Sequence, residues 1–139
     1  EYTIPIGVAD IKREGSDVTI VSFGKIIKEA YKAADELAKE NISCEIIDLR
    51  TVRPLDTETI LKSVKKTNRL VILEEAWPFG NVATEITFQV QSKAFDYLDA
   101  PIEKINTADT PAPYSPVLLK EWLPNSEDVI NSVKKVLYK

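Results

Sequence analysis

The segment from 44 to 56, CEIIDLRTVRPLD, constrains the fold more than any other part of the chain. It begins with an apolar, β-branched run that is typical of a strand buried on both faces: Ile46, Ile47 and Leu49. Pro54 disfavours a helical conformation at Arg53, and Asp56 is placed to accept hydrogen bonds from the first turn of a helix. The pattern predicts a buried strand that presents Arg50 and Arg53 at its carboxyl end, where open α/β sheets usually bind ligands or partners.

Strand and helix patterns alternate along the rest of the chain. Further strands are predicted at 8–11, 17–23, 70–73 and 102–106. Helices are predicted at 24–41, 57–66 and 81–93, with a last helix that Ser126 caps. This alternation predicts an α/β fold, a three-layer α/β/α sandwich whose five-stranded sheet is mostly parallel with one antiparallel strand.

Two finer features of the sheet and its loops are predicted. The first two strands follow one another across a short turn, so we expect them to form a hairpin. The strand at 102–106 is shorter and more polar, and we expect it near an edge of the sheet. The segment 107–125 contains four prolines, so we expect no regular element there but a loop that packs on the body through its aromatic residues.

The composition excludes several classes of site. The chain has no histidine and a single cysteine, which excludes histidine-based triads and nearly all zinc, haem and iron–sulfur sites. Its net charge of −4 gives no basic footprint, so nucleic acid is not an expected partner. Its apolar runs are far shorter than the roughly 20 residues of a membrane-spanning helix. We predict one domain over residues 1–139 and, because the sequence begins without methionine, we expect it to be part of a longer chain.

Arg50 and Arg53 are the clearest candidates for a binding site. Two guanidinium groups at the end of a strand are suited to binding a phosphate or a carboxylate. The alternative, which we favour, is that they form ion pairs that hold the strand-end loops together, with Asp48, Glu74 or Glu75 as partners.

Three other features point away from catalysis. Glu74 and Glu75 are adjacent in an extended segment, so their side chains point to opposite faces and do not form a paired-carboxylate site. Cys44 has no histidine to activate it and is predicted to be a buried apolar residue. The turn at 22–25 enters a helix amino terminus, where anions bind in some proteins, but a single glycine is more typical of an ordinary βα turn. We predict no catalytic, cofactor-binding or metal-binding residue in this chain.

Aromatic residues cluster in two of the predicted loops. Trp77 and Phe79 follow the strand at 70–73, and Tyr114 and Trp122 lie in the proline-rich segment. Such residues either anchor a partner surface or pack loops onto the body, and the sequence leaves both interpretations open. The candidates for structural or interface roles are Arg50, Arg53, Glu74, Glu75, Trp77, Phe79, Tyr114, Trp122 and Lys139.

Three segments carry a family resemblance: DLRTVRPLD at 48–56, KKTNRLVILEEAWPFG at 65–80 and FDYLDAPIEKINTADTPAPY at 95–114. They resemble the carboxyl-terminal domain of the transketolase family, and within it the beta subunits of the decarboxylating component of 2-oxo acid dehydrogenase complexes. The resemblance covers essentially the whole chain. The FDYLDAP segment and the end of the last helix, NSVKKVLYK, are most similar to bacterial-type pyruvate dehydrogenases, with the branched-chain enzymes as the near alternative. Ala76 and Asn81 stand where glycine is usual in that family.

The resemblance implies an enzyme that uses thiamin diphosphate and magnesium to decarboxylate pyruvate and passes the acetyl group to a lipoyl arm. It also implies that the cofactor and the catalytic residues belong to the alpha subunit and to an amino-terminal domain of the beta subunit. That amino-terminal domain is not in this sequence. We therefore expect residues 1–139 to bind no cofactor and to be inactive alone.

The resemblance also implies partners and a compartment. A second beta subunit and the alpha subunit would complete an alpha2-beta2 tetramer, and the final helix with Lys139 is the expected contact with the lipoyl acyltransferase core. The compartment would be the bacterial cytoplasm, or the mitochondrial matrix in a eukaryote, and no membrane contact is expected. An alternative from another class is an autonomous module that binds an anion or a partner at Arg50, Arg53 and the turn at 22–25.

Overall fold

One five-stranded sheet forms the centre of the structure, a computed structural model that describes residues 2–139. The strands are β1 (Asp10–Arg13), β2 (Val18–Ser22), β3 (Cys44–Asp48), β4 (Leu70–Leu73) and β5 (Glu103–Ile105). Their order is β1-β3-β2-β4-β5, with β2 to β5 parallel and β1 antiparallel to β3. The predicted mixed sheet is confirmed, and β5 lies at an edge as expected.

Helices cover both faces of this sheet. They are α1 (Ile27–Lys39), α2 (Thr57–Thr67), α3 (Val82–Ala94), α4 (Pro116–Trp122) and α5 (Ser126–Val136). The α1 and α5 helices pack together on one face, and α2 and α3 pack together on the other. This arrangement confirms the three-layer α/β/α sandwich. Within residues 2–139, no helix has both the length and the apolar character needed to cross a membrane.

Successive residues of the central strands enter two separate apolar cores. Ile20 of β2 faces the core formed with α1 and α5, whereas Val21 faces the core formed with α2 and α3. Ile46 and Ile47 of β3 divide in the same way, and all four side chains are fully buried. Each such side chain stabilises the fold by about 1.5–3 kcal/mol, which explains why these strands are apolar at consecutive positions.

The predicted β1–β2 hairpin is wrong, because β1 pairs with β3 and β2 lies on the other side of β3. The connection crosses the amino end of β3, where the N–H groups of Ser16 and Asp17 donate to the Ser43 carbonyl at 3.2 and 2.9 Å. Gly15 permits this crossing, since a Cβ at that position would lie 2.2 Å from the Cys44 backbone. Both edges of β2 are occupied by parallel neighbours, so no edge is left for β1.

The proline-rich segment is more regular than the sequence predicts. The structure has α4 within 107–125, and Pro116 occupies its first turn. A proline is tolerated there because the N–H that it lacks would have no partner inside the helix. Proline density therefore predicts the loops around α4 but not the helix itself.

Two helix starts differ from the predicted ones. The α5 helix is capped by Asn125, whose Oδ1 accepts from the N–H groups of Glu127 and Asp128 at 2.8 and 3.2 Å. The Asp128 carboxylate in turn accepts from the Asn125 N–H at 2.9 Å, so Ser126 is the first helical residue and not the cap. The α1 helix begins at Ile27, three residues later than predicted.

Asp56 joins the turn after β3 to two other segments. Its Oδ1 accepts from the Thr59 N–H at 3.0 Å and caps α2, as the sequence predicts. Its Oδ2 accepts from the Ala9 N–H at 2.9 Å, which fastens the extended segment before β1. Burial by itself would raise the pKa of Asp56, but the hydrogen bonds from Ala9 and Thr59 outweigh burial and hold the pKa below its ordinary value.

We expect Asp56→Ala to lower the free energy of unfolding by about 2 kcal/mol, because it removes a helix cap and a long-range hydrogen bond together. Asp56→Asn keeps an acceptor for the cap and should lose less. Since the folded-state pKa is lowered, the contribution of the carboxylate is present at neutral pH and is lost as the pH falls through that value, below 3.8. Urea denaturation followed by far-UV circular dichroism checks both; equal stability of Asp56→Ala and wild type contradicts this role.

Candidate functional site

The loops after the central strands meet at the carboxyl edge of the sheet. The chain passes from β2 to β3 on one side and then returns to β4 on the other, so the order of strands reverses between β2 and β4. An edge hollow of about 560 Å³ lies there, and its apolar lining includes Phe23, Val52, Leu55, Trp77 and Phe79. Open α/β sheets usually bind ligands or partners at such a position.

Arg50 binds another part of the fold. Its N–H donates to the Asp48 carboxylate at 3.0 Å, and its backbone is left-handed with φ of 57°. Its Nη2 lies 2.5 Å from Oδ2 of Asp10 in β1, and Lys12 Nζ lies 2.5 Å from the same oxygen. The hydrogen bond from Lys12, with the charges of Lys12 and Arg50, holds the pKa of Asp10 below its ordinary value. The ion-pair partner of Arg50 is thus Asp10 and none of the three carboxylates expected from the sequence, Asp48, Glu74 and Glu75.

Arg53 occupies a different environment. Its side chain is exposed and lines both the edge hollow and an adjacent hollow of about 580 Å³ that includes Glu85 and Gln89 of α3. Within residues 2–139, no carboxylate oxygen forms an ion pair with Arg53 at 4.0 Å or less. Since Arg50 binds β1 and Arg53 lines the hollows, the two guanidinium groups do not converge on one anion.

Glu74 is a buried carboxylate that joins three elements. Both of its carboxylate oxygens lie 3.3 Å from the N–H of Ala83 in the first turn of α3, and Oε1 also accepts from Asn106 Nδ2 at 3.0 Å. Burial raises the pKa of Glu74, although these hydrogen bonds and the charge of Lys104 oppose the rise. Glu75, the next residue, is exposed and lines the edge hollow. The two carboxylates therefore point apart, and Glu74 serves to connect β4, α3 and the end of β5.

Both tryptophans hold the proline-rich loop. The indole Nε1 of Trp77 and the indole Nε1 of Trp122 each donate to the carbonyl oxygen of Thr110 at 2.9 Å. The N–H of Ala108 also donates to the Trp122 carbonyl at 3.1 Å. The sequence leaves open whether such residues anchor a partner surface or pack a loop onto the body. The hydrogen bonds of Trp77 and Trp122 correspond to loop packing.

Phe79 and Tyr114 differ from the tryptophans because they project into solvent. Phe79 is 91% exposed at the mouth of the edge hollow, and Tyr114 is 102% exposed on the proline-rich segment. Lys139 is also exposed, beyond the end of α5, where its N–H donates to the Lys134 carbonyl at 3.0 Å. These three side chains are accessible to a partner.

The nucleophilic side chains do not form a reactive site. Ser22 ends β2 and is fully buried, and its Oγ has no hydrogen-bond partner in the described part of the chain. Cys44 lies at the opposite edge of the sheet, where burial raises the pKa of its thiol to about 11. Among residues 2–139, no group of three or more histidine, cysteine, aspartate or glutamate side chains is arranged to hold a metal ion.

Three residues on which this edge depends are not among the candidates predicted from the sequence: Asp10, Asn106 and Thr110. Asn106 directly follows β5, and a polar residue at a strand end is a signal that could have identified it. Asp10 requires knowledge that β1 lies beside β3. Thr110 acts through its carbonyl oxygen, so its side-chain type carries no signal at all.

A family model described as transketolase, C-terminal domain, matches residues 7–129. The chain belongs to the transketolase C-terminal domain family. The matched span contains every strand of the sheet and reaches into α5. The resemblance seen in the three sequence segments is thereby confirmed.

Relatives of this transketolase C-terminal domain include beta subunits of a larger enzyme. The chain is 56% identical over 135 residues to the pyruvate dehydrogenase E1 component subunit beta of Rickettsia felis. The aligned region covers 97% of this chain and 41% of that subunit. It is 49% identical over 136 residues to the mitochondrial counterpart of Dictyostelium discoideum, with coverage of 98% and 38%. The chain thus spans less than half the length of these curated relatives.

A solved structure with the same fold is described as a split gene transketolase, an inactive beta4 tetramer. It superposes on this transketolase C-terminal domain with a TM-score of 0.85 at 25% sequence identity. The superposition covers 99% of this chain and 44% of that chain. The fold predicted from the sequence is confirmed by this match.

We expect Arg50→Ala to lower the free energy of unfolding by about 1 kcal/mol, the upper range for a partly exposed ion pair. Arg50→Gly loses the same pair but relaxes the left-handed backbone, so it should be more stable than Arg50→Ala by about 0.5–1 kcal/mol. Because the pKa of Asp10 is lowered, the contribution of the pair should disappear as the pH falls below 3.8. Urea midpoints of the three proteins give the comparison, and an Arg50→Gly variant less stable than Arg50→Ala argues against this geometry.

The contribution of Glu74 to stability should depend on pH in the opposite direction to that of Asp10, and comparison of wild type with Glu74→Gln measures it. The raised pKa means that the folded protein favours the protonated carboxyl, so wild-type stability increases as the pH falls from neutral through the raised pKa toward 4.5. The glutamine variant cannot titrate at this position, so wild type should gain stability relative to it over that interval. Urea denaturation at several pH values measures the difference, with Glu75→Gln as the exposed neighbouring control. A difference that stays constant with pH contradicts the assignment.

Proposed function

We propose that this chain is the carboxyl-terminal domain of a pyruvate dehydrogenase beta subunit and that it serves assembly of the enzyme. The observation that carries the proposal is the 56% identity to the Rickettsia felis subunit over 97% of this chain but only 41% of that subunit. The complete enzyme would decarboxylate pyruvate and transfer the acetyl group to a lipoyl arm. We favour pyruvate over branched-chain 2-oxo acids because the relatives compared above are pyruvate dehydrogenase subunits.

The residues of this chain do not fit a site for magnesium and thiamin diphosphate. Magnesium prefers carboxylate oxygens and phosphate oxygens, but three carboxylates near the carboxyl edge already bind the fold, and the exposed Glu75 belongs to no group of three or more potential metal ligands among residues 2–139. Asp10 binds Arg50, Asp56 binds Ala9, and Glu74 binds Ala83. We therefore assign the cofactor to other parts of the enzyme and expect this chain alone to be inactive.

The exposed side chains support a role in assembly. Phe79 and Tyr114 are large apolar groups that a monomer gains nothing by exposing, and aromatic residues of this kind commonly anchor subunit contacts. The split gene transketolase with the same fold is described as a tetramer of beta chains, which supports contacts between copies. We propose a second beta subunit and an alpha subunit as partners, in an alpha2-beta2 tetramer.

Two further parts of the proposal concern location and the acyltransferase core. The end of α5 leaves Tyr138 74% exposed and Lys139 exposed, and we propose that this end contacts the lipoyl acyltransferase core. The relatives include a bacterial subunit and a mitochondrial one. The proposed compartment is accordingly the bacterial cytoplasm or the mitochondrial matrix.

A chimeric subunit tests the proposal directly. In it, this chain replaces the matching carboxyl-terminal part of the Rickettsia felis beta subunit, and the chimera is co-expressed with the alpha subunit of that enzyme. We expect co-purification with the alpha subunit and thiamin-dependent turnover of pyruvate, while the isolated chain shows no turnover. A folded chimera that fails to bind the alpha subunit, or turnover by the isolated chain, overturns the proposal.

Substitutions in the same chimera locate the contact. Phe79→Asp combined with Tyr114→Asp should weaken assembly about tenfold or more, because each change removes an exposed aromatic anchor. Sedimentation velocity at a series of concentrations measures the loss. Tyr2→Asp is the matched control, since Tyr2 is 86% exposed on the extended segment at the amino end. Equal weakening by the control, or no weakening by the double variant, contradicts the assigned surface.

A further inference from the structure

A third hollow, with a volume of about 460 Å³, lies between the start of α1 and the connection from α4 to α5, and it shares Glu75 with the edge hollow. We call it the lysine hollow, because four lysines line it: Lys25, Lys28, Lys32 and Lys120. Its volume is within the range of about 300–1,000 Å³ that is usual for small-molecule sites. Of its lining residues, only Glu75 lies in one of the three segments that carry the family resemblance.

The lysine hollow carries uncompensated positive charge. Lys32 is paired with Glu29 at 2.7 Å, and the second oxygen of Glu29 accepts from the Ser126 N–H at 3.1 Å. The other three lysines, Lys25, Lys28 and Lys120, have no carboxylate oxygen within 4.0 Å among residues 2–139. The remaining carboxylate that lines the hollow belongs to Glu75. A protein of net charge −4 thus concentrates positive charge at one concave site, which attracts anions.

The backbone at the same place adds to this attraction. Ile26 is the amino-terminal cap position of α1, and no side chain provides a capping hydrogen bond there. The N–H groups of Lys28 and Glu29 in this first turn donate to the carbonyls of Lys25 and Ile26 at 3.3 and 2.9 Å, so the backbone attracts an anion through the helix dipole. Just before this turn, Ser22 points to the same face of the sheet as Val18 and Ile20, and its buried Oγ has no partner among the described residues. Because Ser22 is fully buried and does not line the lysine hollow, the attraction for an anion rests on the lysines and the helix dipole.

The walls of the lysine hollow are apolar. Four apolar side chains line it: Ile26, Leu119, Leu123 and Pro124. A bare inorganic anion would use the lysines but leave these walls in contact with water. A ligand that combines a charged group with an apolar body satisfies both parts of the hollow.

We propose that the lysine hollow binds a small organic phosphate, in which phosphate groups contact Lys25, Lys28 and Lys120 and an apolar or planar body packs against the α4 wall. A nucleoside polyphosphate has this chemistry and a suitable size. The proposal does not rest on the assembly role proposed above, because neither Phe79 nor Tyr114 lines this hollow.

Isothermal titration calorimetry of this chain with three probes tests the charge and the body separately. The probes are ATP with a chelator to exclude magnesium, adenosine, and sodium triphosphate, all at one ionic strength. We expect ATP to bind at least tenfold more tightly than either adenosine or triphosphate. Equal affinity for ATP and triphosphate, or no binding of ATP, overturns the proposal.

Paired variants locate the binding. The double variant Lys28→Gln with Lys120→Gln should weaken ATP binding at least tenfold. The control, Lys62→Gln with Lys93→Gln, removes the same charge from exposed positions outside the hollow and should change the affinity for ATP less than twofold. Thermal melting of both variants verifies that they remain folded, which is expected because all four side chains are exposed. Equal effects of the two variants would place the binding elsewhere and overturn the assignment.

Discussion

The burial of β2 on every side is the constraint on which the rest of the structure depends. The β3 and β4 strands are hydrogen-bonded to the two edges of β2, and helices cover both of its faces. All five side chains of β2 are therefore buried. Buried polar groups in such a strand need partners. Thr19 finds them in Ser63 and Thr67, whose hydroxyl oxygens lie 2.6 and 2.7 Å away and which attach α2 to the sheet. Since the centre of the sheet is closed to solvent, a partner can contact the strand ends, the outer helices or the edge strands β1 and β5, but not β2.

Much of this arrangement can be predicted from the sequence, because two-sided burial leaves a strong local signal. Consecutive apolar residues identify β3 and β4, and Asp56 identifies the start of α2. The errors in strand pairing and in the partner of Arg50 share one physical origin, because both depend on contacts between residues distant in the chain. In the predicted hairpin, β1 lies beside β2, and Asp10 is then too far from the end of β3 to be considered as a partner of Arg50. One wrong strand pairing therefore also gives the wrong ion-pair partner for this arginine. Gly15, which allows the crossing over β3, shows no distinguishing pattern by itself.

The candidate site was predictable in its location but less so in its roles. The sequence identifies the aromatic residues only as a group, whereas the structure divides them by whether each side chain has a polar atom that forms a hydrogen bond. The tryptophans carry an indole N–H and are held by the loop, whereas Phe79 has none and Tyr114 leaves its hydroxyl in solvent. The sequence does not predict the lysine hollow. Lys120 lines the same hollow as Lys28 because it lies in α4, a helix that is not expected in a segment with so many prolines.

The shared carbonyl of Thr110 has a consequence for how this protein is observed. Trp77 and Trp122 are the two tryptophans of the chain, and both indole groups donate to that single oxygen at the carboxyl edge. The tryptophan fluorescence of the protein, excited where tyrosine does not absorb, therefore reports directly on this one loop. A fluorescence titration and a circular dichroism titration coincide only when the loop and the sheet unfold as one cooperative unit. The two spectra together thus separate local undocking of the loop from global unfolding without any added label.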